Sequence, residues 1–162
     1  MASGKSFLGR SVARVLNMEF CDLDDYIESQ AQKKVEEIFS ADGEEAFRKI
    51  ESACLDNTFE WSDTIVATGG GTPCFGNNME AMNKHGITIF LDCPAKIIAD
   101  RLTHSKRIRP LIENVPTEHL AAFIASHLEK RMPFYAQAQY AVRITEWKEE
   151  NINNLIDLIR NL

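Results

Sequence analysis

The sequence has no long apolar run. Nothing in it approaches the ~18 consecutive apolar residues that cross a bilayer, which leaves out a membrane-spanning helix. It shows no charged segment followed by an apolar stretch, so a secretory signal is not expected. Basic residues are in the minority, 18 Lys and Arg against 24 Asp and Glu, for a net charge of −6. That balance argues against a nucleic-acid binder, whose electrostatic footprint is basic. Cysteine is sparse and scattered: Cys21, Cys54, Cys74 and Cys93 form no C-x-x-C pair. Zinc ligands usually come in close pairs, so a metal cage is not expected. The four thiols read as reduced and structural, in a cytoplasmic protein. The four histidines keep no metal-site spacing with cysteines or carboxylates, and no Ser/His/Asp arrangement stands out. There is no internal repeat, low-complexity tract or linker, so the chain reads as a single domain.

What is present is enough for one well-cored domain: 162 residues, 44% hydrophobic and 26% charged. Helical periodicity runs from Gly4 to Leu16, with Phe7, Leu8, Val12, Val15 and Leu16 expected on one side. A short extended piece, Glu19 to Asp22, follows. Short helices are expected at Asp25–Ala31 and Glu36–Phe39, and a long one at Glu44–Glu60. Asp63–Thr68 and Ile87–Asp92 read as buried strands, with a short helix at Asn78–Lys84 between them. Pro94 is placed to start the next helix. Thr117–Arg131 is amphipathic, Tyr140–Ile144 is a last strand and Asn151–Ile159 a closing helix. Strands alternating with helices call for a parallel sheet covered on both faces.

Several stretches carry chemistry. Gly4-Lys5-Ser6 opens the first helix, where outward N–H groups favour an anion. Lysine there adds charge beside phosphates, and a serine hydroxyl can ligate Mg²⁺. Alone, the tripeptide reads better as a chance occurrence at a helix start. Asp22-Leu23-Asp24-Asp25 stands at a strand's carboxyl end, where α/β sheets collect ligands. Alternation along an extended segment would face Asp22 and Asp24 the same way; a helix cap is the equal alternative. Arg48 and Glu51, at i and i+3 on a helix, form either a surface pair or a substrate clamp. Gly69-Gly70-Gly71 after a buried strand costs backbone entropy, which close approach to a ligand would explain. Lys106, Arg107 and Arg109 lie in a polar connection that is either a solvated loop or a lid over phosphates. Arg131 either completes a helix C-terminus or holds a carboxylate.

Taken in order, Gly4-Lys5-Ser6, Asp22-x-Asp24, Gly-Glu-Glu-x-Phe-Arg48-x-x-Glu51, Thr68-Gly69-Gly70-Gly71, Arg109-Pro110-Leu111 and Arg131-x-Pro-x-Tyr135 resemble shikimate kinase. The resemblance runs from the second half of the phosphate loop to the C-terminus. It implies the P-loop α/β fold of the nucleoside-monophosphate kinases: a parallel sheet of strand order 2-3-1-4-5 wrapped by helices, with a lid at about 103–116. It implies transfer of the γ-phosphoryl of ATP to the 3-hydroxyl of shikimate, in the pathway to chorismate and aromatic amino acids.

The roles implied are these. Ala2, Ser3, Gly4, Lys5, Ser6 and Phe7 lie along the ATP phosphates. Arg101 stacks on adenine, and Arg109 reaches over the transferring phosphate. Ser6 ligates one Mg²⁺, which Asp22 supports. Asp24 binds shikimate hydroxyls and serves as base. Arg48 and Arg131 hold the carboxylate, Glu51 orients Arg48, and Gly69, Gly70 and Gly71 bring backbone amides to the substrate. Lys5, Asp24 and Arg109 form the expected catalytic set. The implied partners are ATP and shikimate, with no nucleic acid or membrane, and the enzyme is expected to be a monomer.

One feature departs from that pattern. The first glycine of G-x-x-x-x-G-K-S would fall two residues before Met1, together with the central strand of the sheet. The expectation is therefore a chain cut within the phosphate loop, with the first strand missing from it. A gluconate-kinase-like enzyme and a non-catalytic relative are the competing readings.

Overall fold

A computed structural model of the protein describes residues 3–104, 115–145 and 149–162. Helix α1 (Lys5–Leu16) begins at Gly4 and ends at Asn17. It is followed by β1 (Glu19–Asp22), α2 (Leu23–Ala31) and α3 (Val35–Thr58). Strand β2 (Thr64–Ala67) leads through the glycine run to a 3-10 turn (Thr72–Cys74) and α4 (Asn78–His85). Then come β3 (Ile89–Asp92), α5 (Ala95–Thr103), α6 (Thr117–Tyr135), β4 (Tyr140–Arg143) and α7 (Glu149–Arg160).

Three elements differ from expectation for local reasons. The two helices expected at 36–39 and 44–60 run together as α3, interrupted at Gly43, whose φ of 80° and ψ of 174° are not helical. Glycine carries that conformation without the Cβ penalty, so the axis bends there. Helix α6 continues four residues past Arg131, to Tyr135, and contains Pro133. Arg131 is therefore inside the helix, and complementing its C-terminal dipole does not explain it. Pro94 sits just outside α5, at the N-cap position.

Among the described residues the strands form two separate two-stranded sheets, both parallel. In one, Glu19 to Asp22 pair with Thr64 to Ala67. In the other, Ile89 to Asp92 pair with Tyr140 to Arg143. A cavity of about 380 Å³ separates them, with Val66 of β2 and Leu91 of β3 among its walls. Leu8 and Val12 of α1 and Leu155 and Ile159 of α7 also line it. Strands β2 and β3 were expected to be buried, yet seven of their eight residues keep intermediate exposure, Ala67 being the buried one. The cavity beside them is the physical reason.

The core divides accordingly. Leu8, Val12, Ile98, Leu102, Ile124 and Ile144 pack together around the β3–β4 sheet. Leu23, Ile27, Ile38, Phe47, Cys54 and Leu55 pack against the other. Only part of the expected apolar stripe of α1 is buried, because Phe7 is 60% and Val15 49% exposed.

Candidate active site

The first turn of α1 and the end of β1 meet. Ser6 Oγ donates a hydrogen bond to Asp22 Oδ2. The other oxygen, Asp22 Oδ1, accepts from the Asp24 backbone N–H at 3.2 Å. Asp22 thus caps α2, and Asp24 lies in that helix's first turn rather than on an extended segment. The two carboxylates are brought together by a strand-to-helix turn, not by strand alternation. Ser6 and Asp22 supply hard oxygen donors of the kind Mg²⁺ prefers. Among the described residues no group of three or more His, Cys, Asp or Glu side chains could hold a metal by itself. This pair therefore suits an ion held mainly by a ligand's phosphates.

Asp24 sits among like charges. Burial raises its carboxyl above the ordinary range; nearby Lys5 opposes that, while Asp22, Glu51 and Asp25 add to it. A carboxyl so placed takes up a proton more readily than an exposed one.

Glu51 is 1% exposed and fully engaged. Its Oε2 accepts from Arg48 Nη1 at 2.6 Å, and its Oε1 accepts from Thr72 Oγ1 at 2.6 Å. Arg48 is held on its other side by Glu44, whose Oε1 is 3.2 Å from Nη2. Between the two readings of Arg48 and Glu51, the surface pair is ruled out by this burial. The pairing continues: Asn78 Nδ2 donates to the Thr72 carbonyl at 2.9 Å, and Ser52 Oγ donates to Asn78 Oδ1 at 3.0 Å.

The glycine run lies over this cluster. A Cβ on Gly71 would stand 2.7 Å from Arg48 Nη1 and overlap Nη2. One on Gly69 would stand 3.0 Å from Thr72 Oγ1, 3.2 Å from Glu51 Oε1 and 3.5 Å from Asp24 Oδ1. A side chain at Gly71 would displace the Arg48 guanidinium, and one at Gly69 would crowd Thr72 and Glu51. Gly70 is tied from the other side, its carbonyl accepting from Tyr135 Oη at 2.6 Å. Cys74 feels the charges of both Arg131 and Arg48. Its pKa is raised, burial being the main cause, so it stays a thiol at neutral pH.

The structure therefore brings Lys5, Ser6, Asp22, Asp24, Arg48, Glu51, Arg131 and the glycine run to one mouth. Ser3 and Gly70 line its edge on the cavity. Phe7, expected near phosphates, has an exposed side chain on the outer side of α1. Arg101 is in the last turn of α5, where its charge reaches Cys93. Ala2, Arg109 and residues 105–114 of the expected lid lie outside the described residues. Thr72, Asn78 and Cys74 were missed by sequence reasoning. The signal for Thr72 was available, since a buried Glu51 paired with one arginine still has an oxygen to satisfy.

Comparison with known proteins gives one answer. Residues 1–160 match the family profile described as shikimate kinase. The chain is 46% identical over 140 residues to the shikimate kinase of Bacteroides fragilis, covering 86% of this chain and 78% of that protein. It is 40% identical to that of Phocaeicola vulgatus, over 99% and 92% of the two chains. Among solved structures, shikimate kinase from Bacteroides thetaiotaomicron superposes with a TM-score of 0.93 at 40% identity, covering 99% of this chain and 94% of that one. The enzyme from Acinetobacter baumannii, in complex with shikimate, gives 0.88 at 28% identity, covering 99% and 89%.

Proposed function

The chain belongs to the shikimate kinase family, and on that premise we propose how its residues carry out that family's reaction. It is an ATP-dependent kinase that phosphorylates the 3-hydroxyl of shikimate. The observation that carries the assignment of roles is the convergence of Arg48, Arg131 and Asp24 on one glycine run. Two guanidinium groups and a carboxyl around half-buried glycine backbone form a cradle for a small hydroxylated carboxylate.

Arg48 and Arg131 bind the shikimate carboxylate, with Arg48 held in its rotamer by Glu51 and Glu44. Asp24 accepts a hydrogen bond from the shikimate hydroxyl and takes its proton as the oxygen bonds to phosphorus. Its raised pKa suits the task, because proton uptake is easiest for a group poised nearer the working pH. Lys5 and the amides of Ser3, Gly4 and Ser6 hold the β- and γ-phosphates at the N-terminus of α1. Ser6 and Asp22 hold one Mg²⁺, which when bound neutralises phosphate charge. Arg109 from the lid, Ala2 and Arg101 complete the nucleotide side. Positioning and charge neutralisation are most of what phosphoryl transfer asks of a protein.

The sheet of the active enzyme takes the family order 2-3-1-4-5, with one more strand between β2 and β3. What supports this is the cavity between those two strands and their facing edges, which pair with no other strand among the described residues. The enzyme works in the cytoplasm as a monomer, without membrane or nucleic acid. No described helix is long and apolar enough to cross a membrane.

The test is ADP formation from Mg-ATP with shikimate, with gluconate, and with no acceptor. ADP that appears only with shikimate supports the reading. ADP with gluconate instead would transfer the site to another small-metabolite kinase. No acceptor-dependent ADP from folded protein would favour a non-catalytic relative.

A further inference from the structure

The reading above leaves Tyr135 without a task, although it ends the Arg131-x-Pro-x-Tyr135 stretch. It is four residues beyond Arg131 on α6, hence on the same side of the helix. Its hydroxyl donates to the Gly70 carbonyl at 2.6 Å across 65 residues of sequence. The charge of Arg131 acts on its hydroxyl. Its ring stacks on Phe90 of β3, with centroids 5.0 Å apart. The same Gly70 carbonyl receives the Cys74 thiol at 3.9 Å.

The flanking carbonyls of the run are satisfied locally. Gly69 C=O accepts from Thr72 N–H at 3.2 Å, and Gly71 C=O from Cys74 N–H at 2.9 Å. Gly70 alone is fixed by a side chain from α6, a helix that carries one of the two carboxylate-binding arginines. Gly71 in turn lies against the guanidinium of the other, Arg48.

We propose that Tyr135 is a positioning residue that locks Arg131 and the glycine run into one register, so that Arg131 and Arg48 present a single two-armed carboxylate site. The inference rests on the shikimate reading above. Three glycines in a row have little intrinsic stiffness. Without the hydroxyl, the α6 turn that carries Arg131 loses its tie to the Gly70 carbonyl, while the ring still fills its place on Phe90. The two arms then no longer hold a fixed spacing, and binding of the acceptor weakens without loss of the fold.

Tyr135→Phe tests this, because it removes only the hydroxyl. Shikimate and Mg-ATP binding would be measured separately by titration calorimetry, with thermal unfolding alongside. The expected result is shikimate binding weakened about 5- to 10-fold, the range of one lost hydrogen bond. Mg-ATP binding should stay within 2-fold of the parent and Tm within about 2 °C. Tyr135→Leu, which also loses the stacking, should lower Tm and weaken shikimate further. Unchanged shikimate binding by Tyr135→Phe, or equal weakening of both ligands, would overturn the inference while leaving the function intact. Absence of shikimate binding by the unsubstituted chain would overturn the functional reading, and this inference with it.

Discussion

Thr72 donates its hydroxyl to Glu51 Oε1 at 2.6 Å, and neither residue is open to solvent. This bond explains how a charged glutamate is tolerated inside the β1–β2 half of the molecule. One oxygen neutralises Arg48, and the other is satisfied by a hydroxyl from the turn after the glycine run. Thr72→Val keeps the shape and removes the donor. It should cost about 1–3 kcal/mol of stability, the penalty for leaving a buried acceptor unpaired. It should also weaken shikimate binding more than ATP binding. Thermal unfolding and KM for each substrate would check this; an unchanged Tm would mean that Glu51 finds another donor.

A Cβ on Gly71 would overlap the Arg48 guanidinium. Gly71→Ala would force the guanidinium away from that position, since the added methyl and Nη2 cannot share the space. KM for shikimate should rise at least about tenfold, equivalent to 1.4 kcal/mol, with KM for ATP little changed. Parallel losses for both substrates would point to general disruption of the loop.

Arg131→Ala removes one arm of the carboxylate site and leaves the first turn of α1 untouched. Shikimate binding should fall roughly 10²-fold, given the 1.5–3 kcal/mol typical of charged hydrogen bonds, and ATP binding much less. Equal effects on both would count against the assigned role.

Asp24 has a raised pKa, caused chiefly by burial. An acid whose folded pKa lies above its unfolded value binds protons more readily when folded. Stability contributed by this group therefore falls as pH rises from its ordinary value of 3.8 through the folded pKa. Asp24→Asn should accordingly be more stable than the parent at pH 7. That advantage should disappear as the pH falls toward 3.8. The same variant should lose nearly all phosphoryl transfer while still binding Mg-ATP. Unfolding curves at several pH values and a turnover assay would decide both points; near-normal turnover would remove Asp24 as base.

The cavity between β2 and β3 predicts a gain rather than a loss. Joining a short, β-branched strand to the N-terminus ahead of Ser3 should fill it and pair both edges. Tm should rise by at least about 5 °C, since 1 kcal/mol shifts a domain of this size by roughly 2–4 °C. Amide exchange should slow along Thr64–Ala67 and Ile89–Asp92. Unchanged exchange would show that the edges do not accept a strand.

Much of the site was legible from residue types in order. Lys5, Ser6, Asp22, Arg48, Glu51 and the glycine run could be picked out as candidates because few residue types offer those functional groups or that backbone freedom, at spacings the local elements impose. The exposure of Phe7 and Val15 was not legible, because periodicity gives a helix face but not the width of what packs on it. The halves of α3 were seen, but not their continuity, since Gly43 marks a bend as readily as an end.

By itself, the sequence determined the alternation of strands and helices, the glycine-capped start of α1 and the inventory of charged groups from which a site could be built. These follow from local periodicity and from functional groups that keep their character in any fold. The tertiary structure alone decided that Asp22 caps α2, that Thr72 satisfies Glu51 and that Tyr135 holds Gly70 from 65 residues away. Such contacts arise when separate elements pack together, and no local pattern encodes which buried acceptor meets which donor.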